Sequence, residues 1–207
     1  MSPRVLVVDY GMGNVRSVSN ALAANGCEPV VSADPVEAMR ADAFVLPGVG
    51  AFGEAMRNLR ASGMADALSH EVLTRGKPIL GVCLGMQLLG ESSEEGGLHE
   101  GLGWIPARVT AIPAGRDLRV PHMGWNDVTI LKSDSLFAGT DTSRTFYFAH
   151  SYVFSCAPEL VSATFEYGGR NVAAFQKGNI FGTQFHPERS SEAGAALIRN
   201  FASRIGR

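Results

Sequence analysis

Short apolar runs alternate with segments of helical spacing along the first half of the chain. The runs are rich in Val, Ile, Leu and Phe, and each ends at a glycine or a polar turn, which is typical of buried parallel strands. Between the first two runs, Val15, Val18 and Leu22 recur at the spacing of one helix face. Strands are predicted at residues 4–9, 28–32, 42–46 and 78–82, and helices at 14–24, from Pro35, at 57–75 with a break near Gly63, and from 84. Strand and helix in alternation predict a parallel sheet with helices on both faces.

The pattern changes after Glu91. A polar loop follows, and residues 103–185 then form short, strand-like runs separated by turns. These runs are predicted as antiparallel additions to the same sheet. The last helix is predicted at 190–204, with Ser190 or Ser191 as its cap. No linker or repeat interrupts the chain, so we expect one domain over residues 1–207.

Composition and charge exclude several classes of protein. The 207 residues carry 18 Lys and Arg against 20 Asp and Glu, a net charge of −2 without a basic run. We therefore expect neither a nucleic-acid groove nor a membrane-binding surface. The N-terminus lacks a signal-peptide pattern, and no apolar run approaches the ~20 residues of a membrane span. A cytoplasmic location is expected.

Three widely spaced cysteines, Cys27, Cys83 and Cys156, are present. An odd number without a secretion signal predicts free thiols in a reducing compartment. The chain has no Cys or His spacing typical of metal ligands, so neither a metal nor a cofactor is expected. Cys27 and Cys156 lie outside every motif and receive no role.

Cys83 lies in the turn G-V-C-L-G, between a predicted strand and a predicted helix. This turn resembles the G-x-S-x-G nucleophile elbow with sulfur in place of the hydroxyl. Gly81 and Gly85 would allow a sharp turn and close packing of its neighbours. The side chain would then stand at the carboxyl edge of the sheet, where open α/β sheets bind ligands. The alternative is a small buried core cysteine, which is common.

Two further stretches offer partners for such a nucleophile. His186 and Glu188 lie two residues apart at the end of a predicted strand, so a carboxylate can orient the imidazole. Cys83, His186 and Glu188 then fit the pattern of nucleophile, base and orienting acid. Gly48 and Gly50 lie in a loop at another strand end, where backbone N–H groups could serve an oxyanion. Taken by itself, the His-Pro-Glu stretch favours a surface turn with an incidental histidine, and the glycine loop is only a turn signal. The cysteine elbow in the same chain reverses that preference for the His-Pro-Glu stretch.

The stretch D-Y-G-M-G-N at residues 9–14 also has to be compared with a dinucleotide fingerprint. Gly11 and Gly13 follow the first strand, but Arg16 stands where the third glycine belongs. Asp34, the candidate ribose ligand, precedes a proline and is better interpreted as a helix cap. Nucleotide binding is therefore not favoured.

Three motifs in order along the chain, LPGVGAF, GVCLGMQLL and TQFHPE, resemble those of triad-type, class I glutamine amidotransferases. The resemblance extends from end to end and implies the family's flavodoxin-like α/β fold, with a mixed, mostly parallel central sheet. Three further stretches, VDYGMGN, VPHMGWN and FYFAHSYVF, resemble more narrowly the glutaminase subunits of imidazole glycerol phosphate synthase, which act in histidine biosynthesis.

This resemblance implies that Cys83 attacks the side-chain amide of L-glutamine and forms a thioester, with His186 and Glu188 moving and directing the protons. It implies that the backbone N–H groups of Val49 and Leu84 donate hydrogen bonds to the oxyanion. It also implies that the loop containing Val49 turns before the Val49 N–H can donate. It also implies a glutamine pocket that is bordered by several further residues, Gly48, Gly50, Gln87, His150, Ser151 and Tyr152.

The resemblance further implies a partner. In this family the ammonia passes to a separate cyclase subunit, a TIM barrel, which makes imidazole glycerol phosphate and aminoimidazole carboxamide ribotide. Asn14, Trp125, Tyr147 and Arg189 would lie at the interface of this heterodimer. Arg189 stands where the family commonly has Lys.

Two other interpretations stay open from the sequence. A flavodoxin-like scaffold with a cysteine also suits a regulatory binding module or a cysteine peptidase, since sites rather than folds carry function. Glu188 and Gln87 argue against both. A glutaminase that serves another synthase is the remaining alternative, and the 9–14 and 120–126 stretches argue against it.

Overall fold

The computed structural model describes residues 2–113, 118–140 and 143–206. In those ranges six α-helices flank thirteen strands, and none of the helices is long and apolar enough to cross a membrane. The strands are β1 Arg4–Val8, β2 Glu28–Ser32, β3 Ala43–Leu46, β4 Ile79–Val82, β5 Ser92–Ser93, β6 His99–Glu100, β7 Ala107–Ala111, β8 His122–Ile130, β9 Ser143–His150, β10 Tyr152–Cys156, β11 Val161–Glu166, β12 Arg170–Lys177 and β13 Ile180–Thr183. The helices are α1 Val15–Ala24, α2 Val36–Arg40, α3 Phe52–Ala61, α4 Met64–Ser69, α5 Leu84–Leu88 and α6 Ser191–Ala202.

A nine-stranded mixed sheet in the order β2-β1-β3-β4-β13-β12-β11-β8-β9 forms the centre of the described part. The five strands from β2 to β13 are parallel, and the order of these five is that of flavodoxin-like sheets. The remaining neighbours, from β13 across to β9, pair antiparallel. The predicted class, a mixed sheet with helices on both faces, is confirmed. Five of the nine strands form the parallel part, and the other four form the antiparallel extension.

The second sheet differs from the sequence expectation. Strands β10, β7, β5 and β6 form a separate four-stranded sheet, whereas all later strands were predicted to extend the central sheet. Phe154 of β10 stacks on Phe175 of β12 with ring centroids 5.0 Å apart, which joins the two sheets through their apolar faces. Pattern alone could not separate them, because a strand's alternation does not specify its neighbour.

Side chains of the parallel strands point alternately into two apolar layers. On one face, Val5 and Val7 of β1 pack with residues of α1 and α6. On the other face, Leu6 and Val8 pack with α3, α4 and α5 and with part of the second sheet. Since both faces are covered there, the inner strands β3 and β4 are apolar and buried throughout, and only their ends are available for a polar site.

The start of one helix and the capping of another differ from those predicted. The helix expected from residue 57 begins at Phe52, directly after the glycine loop, so this loop leads straight into α3. The break near Gly63 is confirmed, since Gly63 adopts φ +74° between α3 and α4. Ser190 precedes α6 but makes no side-chain cap, because its hydroxyl donates to the His186 carbonyl and accepts from Tyr147 N–H.

Candidate active site

A cavity of about 350 Å³ opens at the carboxyl end of the parallel strands. Its wall brings together residues from seven separate stretches of the chain, and it contains most of the site residues predicted from sequence. The lining residues are Asn14, Val49, Gly50, Cys83, Leu84, Gln87, Glu95, Pro121, Met123, Ala149, His150, Ser151, Tyr152, His186, Glu188 and Arg189. Gly48, Trp125 and Tyr147, which were also predicted, lie outside this lining.

Cys83 occupies the sharp turn between β4 and α5. Its backbone has φ +54° and ψ −112°, a strained conformation for a residue with a side chain. A Cβ on Gly85 would lie 1.8 Å from the carbonyl oxygen of Leu46, and one on Gly81 would lie 2.7 Å from Met86 Cα. Both glycines are therefore required by close packing, and the turn has the geometry of a nucleophile elbow.

His186 and Glu188 form a buried pair beside the elbow. His186 Nδ1 lies 2.9 Å from Glu188 Oε1, and both side chains are almost fully buried. Burial lowers the pKa of His186, but hydrogen bonds and charge interactions with Cys83 and Glu188 outweigh it and raise that pKa to about 10. An imidazolium held between a thiolate and a carboxylate is the arrangement that a cysteine nucleophile needs.

The Cys83 sulfur has two further polar neighbours. Its Sγ lies 3.7 Å from the carbonyl oxygen of Ala149, to which the thiol can donate. The side-chain amide Nε2 of Gln184 lies 3.8 Å away and donates to the sulfur. The sulfur is therefore placed between an acceptor that suits the thiol and a donor that suits the thiolate.

The glycine loop packs directly against the elbow. A Cβ on Gly48 would lie 2.5 Å from the Tyr10 hydroxyl oxygen and 2.8 Å from Leu84 Cβ, so only glycine fits there. The Tyr10 hydroxyl donates to the Pro47 carbonyl at 2.7 Å and fixes the start of the loop. Burial, with the nearby Cys83 charge, raises the pKa of Tyr10, so this hydroxyl stays protonated as a donor. The stretch examined as a dinucleotide fingerprint thus supports this loop.

A chain of buried polar groups shapes the opposite wall. The Tyr152 carbonyl accepts from Gln87 Nε2 at 3.1 Å and from His150 Nδ1 at 2.8 Å. His150 Nε2 in turn lies 3.0 Å from Nδ1 of His122, whose Nε2 faces Asn126 Nδ2. Burial lowers the pKa values of His122 and His150 to about 4, so both rings are neutral in this chain.

The four residues predicted at an interface lie at or next to the mouth of the cavity. The Arg189 guanidinium lies 3.9 Å from the centroid of the Tyr147 ring, and the Trp125 ring meets Tyr147 edge to face at 6.1 Å. Asn14 lines the cavity and also accepts from Ser17 N–H at the start of α1. Trp125 is 54% exposed, so an apolar ring faces outward there.

Sequence reasoning missed Glu95 and Gln184. Glu95 lies in the polar loop after Glu91, and its Oε2 accepts from Phe52 N–H at 2.7 Å while the side chain lines the cavity. Nothing in the loop's composition marks it. Gln184 lies within TQFHPE beside the predicted base, which was the available signal for it. Among the described residues, no group of three or more His, Cys, Asp or Glu could hold a metal ion.

Comparison with known proteins identifies the family. The family model for class I glutamine amidotransferases matches residues 6–205. The chain belongs to this family. The cysteine elbow and the buried His–Glu pair therefore lie in a member of a family of glutamine-dependent enzymes.

The relatives are more specific. The chain is 46% identical to imidazole glycerol phosphate synthase subunit HisH 1 of Campylobacter jejuni, covering 96% of this chain and 98% of the relative. It is 48% identical to subunit HisH 2 of Vibrio vulnificus, with 96% and 93% covered. It is 46% identical to subunit HisH of Methanothermobacter thermautotrophicus, with 97% and 98% covered. These matches confirm the narrower resemblance drawn from the sequence.

Solved structures agree on the fold. The structure of PurLQS from Thermotoga maritima superposes with a TM-score of 0.75 at 22% identity, covering 98% of this chain and 99% of that one. A glutamine amidotransferase from the same organism gives a TM-score of 0.63 at 18% identity, with 98% and 84% covered. At these identities the likeness concerns the fold alone.

Proposed function

We propose that this chain is the glutaminase subunit of an imidazole glycerol phosphate synthase and hydrolyses L-glutamine to glutamate and ammonia through Cys83. One observation carries the proposal. The Cys83 elbow and the His186–Glu188 pair line one cavity, and the chain that holds them is 46% identical to HisH subunits of both Campylobacter jejuni and Methanothermobacter thermautotrophicus. A regulatory binding module and a cysteine peptidase are disfavoured, because the HisH relatives match this chain over nearly their full length.

The chemistry follows from the groups around the sulfur. The Cys83 thiolate adds to the amide carbon of glutamine, and the charge that develops on the oxygen is stabilised by the N–H groups of Leu84 and, once the loop turns, Val49. His186 gives its proton to the leaving nitrogen, so ammonia departs and a γ-glutamyl thioester stays on Cys83. His186 then takes a proton from water, which attacks the thioester and releases glutamate and the thiolate.

The cavity also offers groups for the amino-acid end of glutamine. Glu95 supplies a carboxylate for the ammonium group, with one oxygen already engaged by Phe52 N–H. Gln87 and His150 hold the Tyr152 carbonyl and so fix the wall formed by Ser151 and Tyr152. Gly48 and Gly50 let the oxyanion loop approach closely, and Gly50 has φ +103°.

The partner in this proposal is a TIM-barrel cyclase subunit that receives the ammonia and releases imidazole glycerol phosphate and aminoimidazole carboxamide ribotide. Asn14 and Arg189 line the cavity, Tyr147 packs on Arg189, and Trp125 packs on Tyr147. These four residues would form the heterodimer contact. In this proposal, residues 1–207 act as one amidotransferase domain in the cytoplasm.

The test is glutamate release by the chain mixed with the cyclase subunit of the same organism and its nucleotide ligand. Cys83→Ala should abolish release and leave subunit assembly intact, whereas Cys27→Ala, at a buried thiol outside the cavity, should retain it. Release by Cys83→Ala near the wild-type rate would refute the assignment. Rapid hydrolysis by the isolated chain, unaffected by the cyclase, would favour another synthase as the partner.

A further inference from the structure

We propose that Gln184 is a catalytic residue of this site, whose side-chain amide donates a hydrogen bond to the Cys83 thiolate. The proposal rests on the proposed function in that it takes Cys83 as the nucleophile. Gln184 follows β13 and has no exposed surface, and its Nε2 lies 3.8 Å from Sγ. The contact is with the reacting atom itself.

The direction of the Gln184 amide follows from its neighbours. The Tyr152 carbonyl can only accept, so the Gln87 side chain must turn its Nε2 toward it, at 3.1 Å. The same Nε2 lies 3.0 Å from Gln184 Oε1 and donates to it. Gln184 therefore presents its own Nε2 to the sulfur, since a flipped amide would set two NH₂ groups against each other. A backbone carbonyl thus fixes the donor that faces Cys83.

The surroundings of the sulfur show why such a donor is useful. His186 is its cationic neighbour, Tyr10 adds a protonated hydroxyl nearby, Glu188 acts through the imidazole, and the Ala149 carbonyl favours only the thiol form. The proton of His186 leaves during the reaction, first to ammonia. The amide protons of Gln184 do not move, so this donor faces the sulfur in every step, including the departure of the thiolate from the thioester.

The alternative is a buried glutamine that only fills space and satisfies Gln87. Both interpretations predict some loss of stability when Gln184 is changed, so stability cannot separate them. Only the proposed role ties Gln184 to the ionisation of the sulfur. The readout is therefore the pH profile of Cys83 alkylation, which requires neither glutamine nor the cyclase.

The experiment measures the rate of alkylation by iodoacetamide across the acid and alkaline range, read by mass spectrometry on the peptide that contains Cys83. Gln184→Leu should displace the profile to higher pH by about one unit, so the rate on its acid limb falls about tenfold. The limiting rate at high pH should equal that of the wild type, because access to the sulfur is unchanged. Gln184→Glu keeps the side-chain volume and should displace the profile further, since a carboxylate would face the thiolate.

Gln176→Glu is the matched control, because it adds the same charge on β12, where Gln176 Nε2 donates to the Gly178 carbonyl. Its profile should coincide with that of the wild type. Coincident profiles for Gln184→Leu, or for Gln184→Glu if the leucine variant does not fold, would overturn the proposal. The proposal would also be overturned if the variant alkylated more slowly at high pH but its pH profile were not displaced. Failure of the proposed function would show separately, as no glutamate release by the wild-type chain with the cyclase.

Discussion

At the scale of single residues, Cys83 combines a strained backbone with a dense set of polar neighbours. Its positive φ directs the side chain away from the packed elements and into the cavity, and Gly81 and Gly85 make that conformation possible. His186 and Glu188 supply the charges beside it, while Glu188 Oε2 is buried without a partner among the described residues. Hydrogen bonding by this carboxylate is thus concentrated in the Oε1 contact with His186.

Glu95 offers a test of substrate recognition at this scale. Glu95→Gln keeps an oxygen for Phe52 N–H but removes the charge that we assign to the ammonium group of glutamine. We expect the KM for glutamine to rise about tenfold with a smaller change in kcat, as steady-state kinetics of the complex would measure. Glu94→Gln, at the exposed neighbouring position, is the control. An unchanged KM, or the same rise in both variants, would contradict this role.

At the scale of elements, close contacts between glycines and neighbouring backbone set the site geometry. Helix α5 packs so tightly on β3 that Gly85 touches the Leu46 carbonyl, and the loop after β3 packs on the start of α5 through Gly48. The nucleophile turn and the oxyanion loop are therefore one packed unit. A change in either element is expected to alter both.

Gly85→Ala tests this packing. A methyl group 1.8 Å from a backbone oxygen cannot be accommodated without moving α5 or β3, and we expect a loss of at least about 3 kcal/mol in the free energy of unfolding. Gly178→Ala is the comparison, because φ is +58° there but no atom lies within 4 Å of the new methyl. Backbone strain alone should cost about 1 kcal/mol. Urea titrations measure both losses. Equal losses of unfolding free energy for Gly85→Ala and Gly178→Ala would contradict the tight contact between Gly85 and Leu46.

The elements also show which features of the fold and the site can be predicted from the sequence. The elbow, the His–Glu pair and the glycine loop were predictable, because each lies within a few consecutive residues and has a fixed spacing. The separate second sheet and the position of Glu95 were not, because both depend on which strand and loop pack together across the chain. Gln184 was visible within its motif, but its role depends on contacts with Gln87 and Cys83, about a hundred residues earlier in the chain.

At the scale of the whole molecule, buried histidines make the stability of the folded state depend on pH, in opposite directions on the acid and alkaline sides. His122 and His150 have pKa values near 4, against about 6.5 in the unfolded chain. The unfolded state binds more protons between these values, so stability falls as the pH drops from 6.5 toward 4. His186, raised to about 10, adds stability that is complete below 6.5 and lost as the pH rises through 10.

We therefore expect the free energy of unfolding to be greatest near pH 6.5, with slopes of up to about 1.4 kcal/mol per pH unit for each histidine. Urea denaturation at a series of pH values measures this. His122→Asn should flatten the acid side of the curve, since one depressed group is removed, and leave the alkaline side in place. A stability that increases steadily toward pH 4 would contradict the neutral, hydrogen-bonded histidine pair.

The surface around the cavity mouth provides the test of assembly. Trp125→Ala should weaken association with the cyclase at least about tenfold, because exposed aromatic anchors dominate interface energies, while the melting temperature stays unchanged. Met39→Ala is the control: Met39 is 63% exposed on α2. Calorimetric titration with the cyclase measures both. Equal affinity of the two variants would place the interface elsewhere.

The central claim is that Cys83 is the nucleophile toward glutamine, and the most direct measurement is covalent trapping. The diazoketone analogue of glutamine should form one adduct on the complex, located by mass spectrometry on the peptide that contains Cys83. Excess glutamine should slow its formation, and the loss of glutamate release should follow the labelled fraction. Labelling of Cys27 or Cys156 instead, or full activity in a chain labelled at Cys83, would contradict the claim.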